Sequence, residues 1–230
     1  MTYSYDFASI PELIVKIMQA FPTTLEILLL SLLFSLLLGA LVTVGSLSKN
    51  KTAQSVSKGY ISFMRGIPTL VMIFLLYLGM PKVIPAMGAW NKKVFLIATL
   101  SFTVSANMAE MMRSSYLAVN KGQKEAAYSV GMKSFTAFRR IIFPQALGIA
   151  IPTLGNNIIL LFKETSLAFT IGVVDILGKA RAISGANYGA NMLEVYLGTA
   201  IIFWVVCVAL EQITKVVEKT YTKGRKRATS

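Results

Sequence analysis

Long apolar runs separated by short charged stretches dominate this sequence. In the longest, residues 27–47, 21 successive positions carry no charged side chain. A helix needs about 20 largely apolar residues to cross a bilayer. By that measure the pattern predicts spans at about 25–47, 61–80, 94–113, 145–163 and 194–217. The chain is therefore predicted to be an all-α integral membrane protein with five transmembrane helices.

The segment before the first span, residues 1–22, carries a shorter helical pattern. Ser9, Pro11 and Glu12 have the spacing of a cap residue, a first-turn proline and a capping-box acid. Apolar residues then recur on one helical face, at Ile10, Leu13, Ile14, Ile17 and Phe21. This amphipathic helix is too short to span, so it lies either on the membrane surface or buried against neighbouring helices. A second capping-box pattern over 23–26 predicts the start of the first span.

The distribution of charge predicts the orientation of the chain. There are 23 Lys and Arg against 10 Asp and Glu, which gives a net charge of +13. With the N-terminus outside, sixteen of the basic residues fall on inner segments and seven on outer ones. Because cytoplasmic loops are enriched in Lys and Arg, this bias predicts an extracytoplasmic N-terminus and a basic cytoplasmic tail over 218–230. A nucleic-acid partner is disfavoured, since the basic residues recur between apolar runs.

Composition narrows the chemistry that the chain can perform. It is 55% hydrophobic and 14% charged, with no histidine and a single cysteine, Cys207, within an apolar run. Soluble domains are about 45–50% apolar and about 25% charged. Without histidine the commonest general base and imidazole metal ligand are missing. We therefore expect no catalytic residue, no metal site and no cofactor bound by this chain.

The most informative stretch is the connection between the third and fourth spans, residues 121–144. Residues 125–130 suit a short helix, and Gly131 permits a backbone reversal. Ser134 is predicted to cap a second helix, and Pro144 to end or bend it before the next span. An apolar face on that second helix is formed by Phe135, Phe138, Ile141 and Ile142. A cytoplasmic helix-turn-helix with this face and a carboxylate is suited to docking on a partner.

The same residues carry a family resemblance. Glu125-Ala126-Ala127, Gly131, Ile141 and Pro144 resemble the signature of permease subunits of ABC importers, with Phe143 where leucine is usual. The resemblance covers nearly the whole chain and extends to the polar amino-acid permeases of the histidine, glutamine and cystine type. The matching stretches there are 63–68, Ala109-Glu110 and 162–167, the last with Glu164 where that group usually has Asp.

The resemblance implies the type I ABC importer permease fold, with a permease domain over residues 23–217, in a bacterial cell membrane. It implies a second permease subunit, identical or a sibling, two ATPase subunits that bind ATP and Mg²⁺, and an extracytoplasmic amino-acid-binding protein. It makes 126–135 a coupling helix in a groove of the ATPase, so that ATP drives inward transport. The coupling residues it implies are Glu125, Ala126, Ala127, Gly131, Ser134, Phe135 and Pro144. The carried amino acid is left open among cystine, glutamine and basic amino acids, with overall likeness favouring cystine.

Polar residues at membrane depth are candidates for the substrate pathway. Adjacent opposite charges at Lys163 and Glu164, where the resemblance places the outer end of the pathway, are suited to an ammonium and a carboxylate; they could equally anchor a helix end. The pathway candidates are Glu164, Lys163, Thr165, Ser166, Asn107 and Ser105. For the last two, hydrogen bonds between helices are the favoured interpretation. Glu110, three residues before Arg113, is expected to form a helical ion pair.

Two other functional classes remain alternatives. An ion-coupled secondary transporter or channel subunit would also be a helical bundle with polar groups at membrane depth. A membrane-embedded enzyme is a weaker alternative, because no nucleophile, base and metal set converges in the sequence.

Overall fold

The computed structural model describes residues 6–186 and 188–228, with side chains through Tyr221. These residues form helices and no strand, which confirms the all-α class. The α-helices in order are α1 (Ile10–Met18), α2 (Phe21–Ser46), α3 (Lys51–Gly66), α4 (Thr69–Phe74), α5 (Met80–Val83), α6 (Lys92–Leu117), α7 (Lys121–Ser129), α8 (Ser134–Ala137), α9 (Phe143–Glu164), α10 (Ile176–Ala186) and α11 (Met192–Ala228). Outside this description lie residues 1–5 of the predicted N-terminal segment. In the predicted tail, residues 229–230 and the side chains of residues 222–228 also lie outside it.

The described helices include four that are long and apolar enough to cross a membrane, or five if one bent pair counts as a single span. The four are Phe21–Ser46, Lys92–Leu117, Ser134–Ile171 and Met192–Tyr221, and the bent pair is Lys51–Gly66 with Thr69–Val83. Each overlaps one predicted span, so the apolar runs were assigned to the right regions of the chain. Their ends and internal breaks differ from the prediction in four places.

The first difference concerns α1. Pro11 lies in its first turn as predicted, but Ser9 does not cap the helix, because its hydroxyl donates to the carbonyl of Asp6 at 2.7 Å. Glu12 pairs with Lys16 at 2.6 Å, so it is not in a capping box, and this neighbouring ammonium lowers the pKa of the Glu12 carboxyl. Leu13 and Ile17 are buried, and α1 packs on α10 and α11. Of the two alternatives for this amphipathic helix, the structure therefore shows the second, in which it is buried against neighbouring helices.

The second difference is the start of α2, which begins at Phe21, before the predicted capping box. Pro22 occupies the first turn, where its missing N–H costs nothing. Thr24 therefore lies inside the helix, where its hydroxyl donates to the carbonyl of Ala20 at 3.4 Å and accepts from the N–H of Ile176 at 3.1 Å. Glu26 is drawn into an ion pair with Lys93 of α6 at 2.6 Å.

The third difference is in the second span, which is bent by 103° between Gly66 and Thr69. Ile67 is extended, with φ −103° and ψ 131°, because the ring of the following Pro68 disfavours helical geometry in the residue before it. The predicted span over 61–80 therefore corresponds to a bent pair of helices. Helix α3 ends at the bend, and α4 continues through a π-helical segment, Leu75–Gly79, into α5.

The fourth difference is in the fourth span. Lys133, rather than Ser134, occupies the cap position of α8, and Pro144 neither ends nor breaks the helix. A π-helical segment, Phe138–Ile142, joins α8 to α9, and within it Phe143 donates its N–H to the carbonyl of Phe138. Pro144 then falls in the first turn of α9, so its missing N–H is accommodated. The helix passes Glu164 and continues as a 3₁₀ segment, Thr165–Ile171.

Packing is centred on α6, which carries a buried stripe of Leu96, Leu100, Val104 and Met108. Its most extensive contact is with α2. There the backbones approach closely, because a Cβ on Gly39 would lie 2.8 Å from the Cβ of Met108. Thr43 adds a hydrogen bond between the helices, to the carbonyl of Ala109 at 3.1 Å. Small residues and threonine hydroxyls commonly support such helix contacts in membranes.

Candidate functional site

A cavity of about 310 Å³ lies where the bend after α3 meets α6 and the end of α9. Its lining residues are Met64, Arg65, Ile67, Thr69, Thr103, Val104, Asn107 and Glu164. The bend before Pro68 brings Arg65 and Thr69 to the same wall, although one closes α3 and the other opens α4. Thr103 and Asn107 lie in the middle of α6, so the cavity is at mid-depth of that helix and not at its outer end.

Glu164 is the acidic group of this cavity. One carboxylate oxygen, Oε1, accepts a hydrogen bond from the hydroxyl of Thr69 at 3.1 Å. The other, Oε2, is buried and has no hydrogen-bond partner among the described residues. Leaving a buried acceptor unpaired costs about 1–3 kcal/mol, and more when the group is charged. A donor supplied by a ligand in the cavity would therefore satisfy an oxygen that the protein does not.

Arg65 supplies the opposite charge. It is exposed and forms no ion pair with Glu164, since the ion pairs among the described residues are formed by other side chains. Its charge also acts on Glu110, but that carboxylate is already held by Arg113, with contacts of 2.6 and 3.1 Å. The helical ion pair predicted for Glu110 and Arg113 is thereby confirmed. The cavity thus contains a cation and an anion that do not neutralise each other by direct contact.

Of the six predicted pathway residues, only Glu164 and Asn107 line the cavity. Lys163 is exposed, and its ammonium acts on Cys207 of α11, which places it on another side of α9. Thr165 and Ser166 donate to carbonyls of their own helical turns, at 2.7 and 2.6 Å. These three positions make no contact that suggests a role in binding.

Ser105 has the packing role that was favoured for it. Its hydroxyl is buried and lies 2.6 Å from the hydroxyl of Tyr60 on α3, and it donates to the carbonyl of Phe102 at 2.8 Å. The side chain of Asn107 makes no hydrogen bond to another described residue, so the hydrogen bond between helices favoured for it is wrong, and the side chain lines the cavity instead. Sequence reasoning missed Arg65 and Thr69 as cavity residues. The signal in the sequence that could have indicated them is Pro68, because it marks the bend that brings them together.

The second candidate site is the signature segment, residues 121–144. Asn120 caps α7 by accepting from the N–H of Gly122 at 2.8 Å. The helix ends at Ser129. Two residues later Gly131 has a φ of +78°, the left-handed conformation that favours glycine, and the N–H of Met132 returns to the carbonyl of Ala127 at 3.1 Å. The predicted short helix and reversal at Gly131 are confirmed. Ser134 accepts a hydrogen bond from the hydroxyl of Tyr128 at 3.4 Å in place of capping α8.

The two arms of the signature segment divide into an inner and an outer face. Ala127 and Ala137 are buried and face the rest of the protein, whereas Ala126 is exposed. Tyr128, Val130 and Phe135 are exposed, the last two by 72% each, and we call these three the docking patch. Glu125 is exposed on α7 nearby. Exposed apolar side chains grouped with a carboxylate are typical of a protein contact surface.

No group of three or more side chains among the described residues is arranged to hold a metal ion. The cavity groups charged and polar side chains, and the docking patch groups exposed apolar side chains near a carboxylate. The arrangement can bind a small polar ligand in one place and a partner protein in another.

Comparison with known proteins gives a consistent result over nearly the whole chain. Residues 31–223 match the family described as the binding-protein-dependent transport system inner membrane component. The chain is 37% identical over 221 residues to the probable amino-acid permease protein YxeN of Bacillus subtilis (strain 168), covering 96% of each. It is also 37% identical over 232 residues to the L-cystine transport system permease protein TcyL of the same organism, covering 99% of this chain and 96% of that one.

Solved structures agree with this result. A crystal structure of an amino acid ABC transporter with histidines is similar with a TM-score of 0.85 and 29% identity, covering 94% of this chain and 99% of that one. An inward-facing structure of the MetNI methionine ABC transporter has a TM-score of 0.67 at 18% identity, and so shows the shared fold alone.

Proposed function

Because this chain belongs to the binding-protein-dependent transport system inner membrane component family, we propose a cargo site and a coupling site for it. The chain is the membrane-spanning permease subunit of an ABC importer for amino acids, as its relatives are. The central cavity is the cargo site. The signature segment is the site at which a partner ATPase moves the permease.

The observation that carries the cargo site is the unpaired Oε2 of Glu164 in a cavity that also contains Arg65. An amino acid carries an ammonium and a carboxylate a few bonds apart. Glu164 accepts from the ammonium, and Arg65 donates to the carboxylate through its planar guanidinium. Asn107 and Thr103 offer neutral hydrogen bonds to the cargo side chain. The cavity volume lies at the lower end of the usual range of about 300–1,000 Å³ for small-molecule sites.

Among amino acids, the proposed cargo is cystine. Two relatives support it, the cystine permease proteins TcyL and TcyB of Bacillus subtilis, at 37% and 33% identity. A panel of cystine, glutamine, arginine and histidine, each with its own binding protein, tests this assignment directly. If only glutamine or a basic amino acid is taken up, that amino acid is the cargo and not cystine. The proposed cargo site is not contradicted by that result.

The coupling proposal rests on the geometry of the docking patch. In the assembly two permease subunits face two ATPases, and an extracytoplasmic amino-acid-binding protein delivers the cargo. ATP and Mg²⁺ bind to the ATPases. Phe135, Val130 and Tyr128 insert into a groove of the ATPase. Glu125, Ala126 and Ala127 belong to α7, the helix that carries Tyr128. Ser134, Gly131 and Pro144 hold the turn and the connection to α9. ATP-driven closure then moves α9 with the docked segment.

The cargo site is tested with Glu164→Gln in the complete transporter reconstituted in liposomes. We expect uptake of labelled cystine to fall at least tenfold, because the amide removes the charge that pairs with the ammonium. Basal ATP hydrolysis should stay within about twofold, since Glu164 is at the opposite end of α9 from the signature segment. The matched control is Glu211→Gln, which removes an exposed carboxylate paired with Lys215 at 2.6 Å. Unchanged uptake and half-saturation in Glu164→Gln would remove Glu164 from the cargo site.

A further inference from the structure

The helices α9 and α11 pack against each other at two positions that are two helical turns apart. A Cβ on Gly155 would overlap the side chain of Thr214, so the two helices are in close contact there. Seven residues earlier on α9, a Cβ on Gly148 would lie 3.0 Å from the ring of Tyr221, which is seven residues later on α11. The two helices are therefore antiparallel, and each of these two glycines of α9 faces a side chain of α11.

Tyr221 also makes a polar contact beyond this packing. Its hydroxyl donates a hydrogen bond to the carbonyl of Pro144 at 2.7 Å, across 77 positions of sequence. Pro144 is the last residue of the signature segment and lies in the first turn of α9. The contact therefore fastens α11 to the point at which the signature segment enters the membrane-spanning part of the protein.

The position of this contact relative to the π-helical segment matters. Phe138–Ile142 lies between the docking patch and Pro144, and π-helical turns interrupt the regular hydrogen bonding of an α-helix. A displacement of the patch can be absorbed there unless the start of α9 is held on its other side. Tyr221 holds it, with its ring against Gly148 and its hydroxyl on Pro144.

The opposite end of α11 also makes a hydrogen bond and a close packing contact. Glu194, in its first turn, is buried and accepts a hydrogen bond from the backbone N–H of Asp6 at 2.9 Å. Near this end a Cβ on Gly198 would lie 3.3 Å from Ile14 of α1. The single helix α11 thus links the start of α9 to the N-terminal helix, over the length of the molecule.

We propose that Tyr221 is a positioning residue that makes α11 move together with the signature segment, so that coupling motion reaches the opposite end of the permease. This inference rests on the proposed coupling function of the signature segment. Tyr221 lies outside both the proposed cargo site and the docking patch. Its hydroxyl sets how much of the ATPase movement is converted into rearrangement of the spans.

The test is Tyr221→Phe in the complete reconstituted transporter, which keeps the ring on Gly148 and removes only the donor. A hydrogen bond of ordinary net strength shifts an equilibrium roughly two- to tenfold. We expect the ratio of cargo taken up to ATP hydrolysed to fall by that factor, with half-saturation for ATP and membrane abundance unchanged. A purely structural loss would lower abundance and leave the ratio constant.

Two further variants make the outcome specific. Tyr196→Phe is the matched control, because this tyrosine is on the same helix and its hydroxyl has no hydrogen-bond partner among the described residues. Gly148→Ala displaces the ring of Tyr221, and should lower the ratio without adding to the effect of Tyr221→Phe in the double variant. An unchanged ratio in Tyr221→Phe overturns the inference. If Gly131→Val also leaves uptake unchanged, the coupling function itself is overturned.

Discussion

Gly131 sets the direction in which the signature segment turns. Its φ of +78° is a conformation that costs about 1–2 kcal/mol for a residue with a Cβ. We expect Gly131→Val to abolish most uptake while membrane insertion is kept, because the docking patch is then presented in a different direction. Gly131→Asn is the control, since asparagine tolerates this region far better. Uptake by transport assay and insertion by immunoblot separate the two effects, and equal loss in both variants would contradict the explanation.

Asp175 is a residue whose environment predicts a pH dependence. It precedes α10, is fully buried, and accepts a hydrogen bond from the N–H of Gly178 at 2.8 Å. Its other oxygen has no partner among the described residues. Burial raises the pKa of its carboxyl to about 6 from an ordinary 3.8, although the backbone N–H groups act in the opposite direction. The folded state therefore binds a proton more tightly than the unfolded state.

The sign of the effect follows from that difference in pKa. The contribution of Asp175 to stability is most favourable below pH 3.8 and is lost as the pH rises through about 6, an order-of-magnitude change of about 3 kcal/mol. We expect Asp175→Asn to be more stable than the wild type at pH 7, and the difference to vanish near pH 4. Thermal unfolding of the purified permease between these values measures it. A difference that does not vary with pH would contradict the raised pKa.

At the scale of elements, the contact between α2 and α6 predicts how glycine substitutions differ. Gly39→Ala places a Cβ 2.8 Å from the Cβ of Met108, and overpacking of this kind costs about 1–3 kcal/mol. Gly59→Ala on α3 meets no atom within 4 Å and gains helix propensity of up to about 1 kcal/mol. We expect the first to lower the unfolding temperature and the second to raise it. An unfolding temperature that Gly39→Ala leaves unchanged or raises would mean that the α2–α6 approach is not tight.

The two prolines near helix junctions show what the sequence could and could not predict about the elements. The sequence shows only that each lacks an N–H and restrains the residue before it. At Pro68 the chain bends by 103°, whereas at Pro144 a π-helical turn accommodates the proline and the helix continues. Long apolar runs determine where spans occur, because the bilayer sets their length. Which proline breaks a helix depends on tertiary packing, which the local sequence does not contain.

The same limit explains the candidate site. Glu164 was predicted because a carboxylate at membrane depth is costly and stands out in any apolar run. Lys163 was grouped with it because the two are adjacent, but successive helical residues point about 100° apart, and only one of them faces the cavity. Arg65 and Thr69 reach the cavity only through the bend at Pro68. Position along the chain identified the acid and could not identify its neighbours in space.

At the scale of the whole molecule, the proposed orientation places the N-terminus outside and the docking patch in the cytoplasm. Replacing Cys207 by serine leaves a chain in which single cysteines can be introduced. Tyr188 is fully exposed in the turn before α11, and Lys51 is exposed at the start of α3, on a predicted cytoplasmic segment outside the docking patch. In intact cells an impermeant maleimide should label Tyr188→Cys, and should label Lys51→Cys only after the membrane is permeabilised. The reverse pattern would invert the topology.

We propose that ATP hydrolysis by a partner drives amino-acid transport through this permease by way of the signature segment. The most direct measurement is uptake of labelled amino acid into liposomes that contain the complete transporter, with ATP inside, binding protein outside and ionophores present. We expect uptake that requires ATP, is insensitive to ionophores and is lost in Gly131→Val. Uptake that persists without ATP and collapses when the ion gradient is removed would contradict it, and would indicate an ion-coupled transporter.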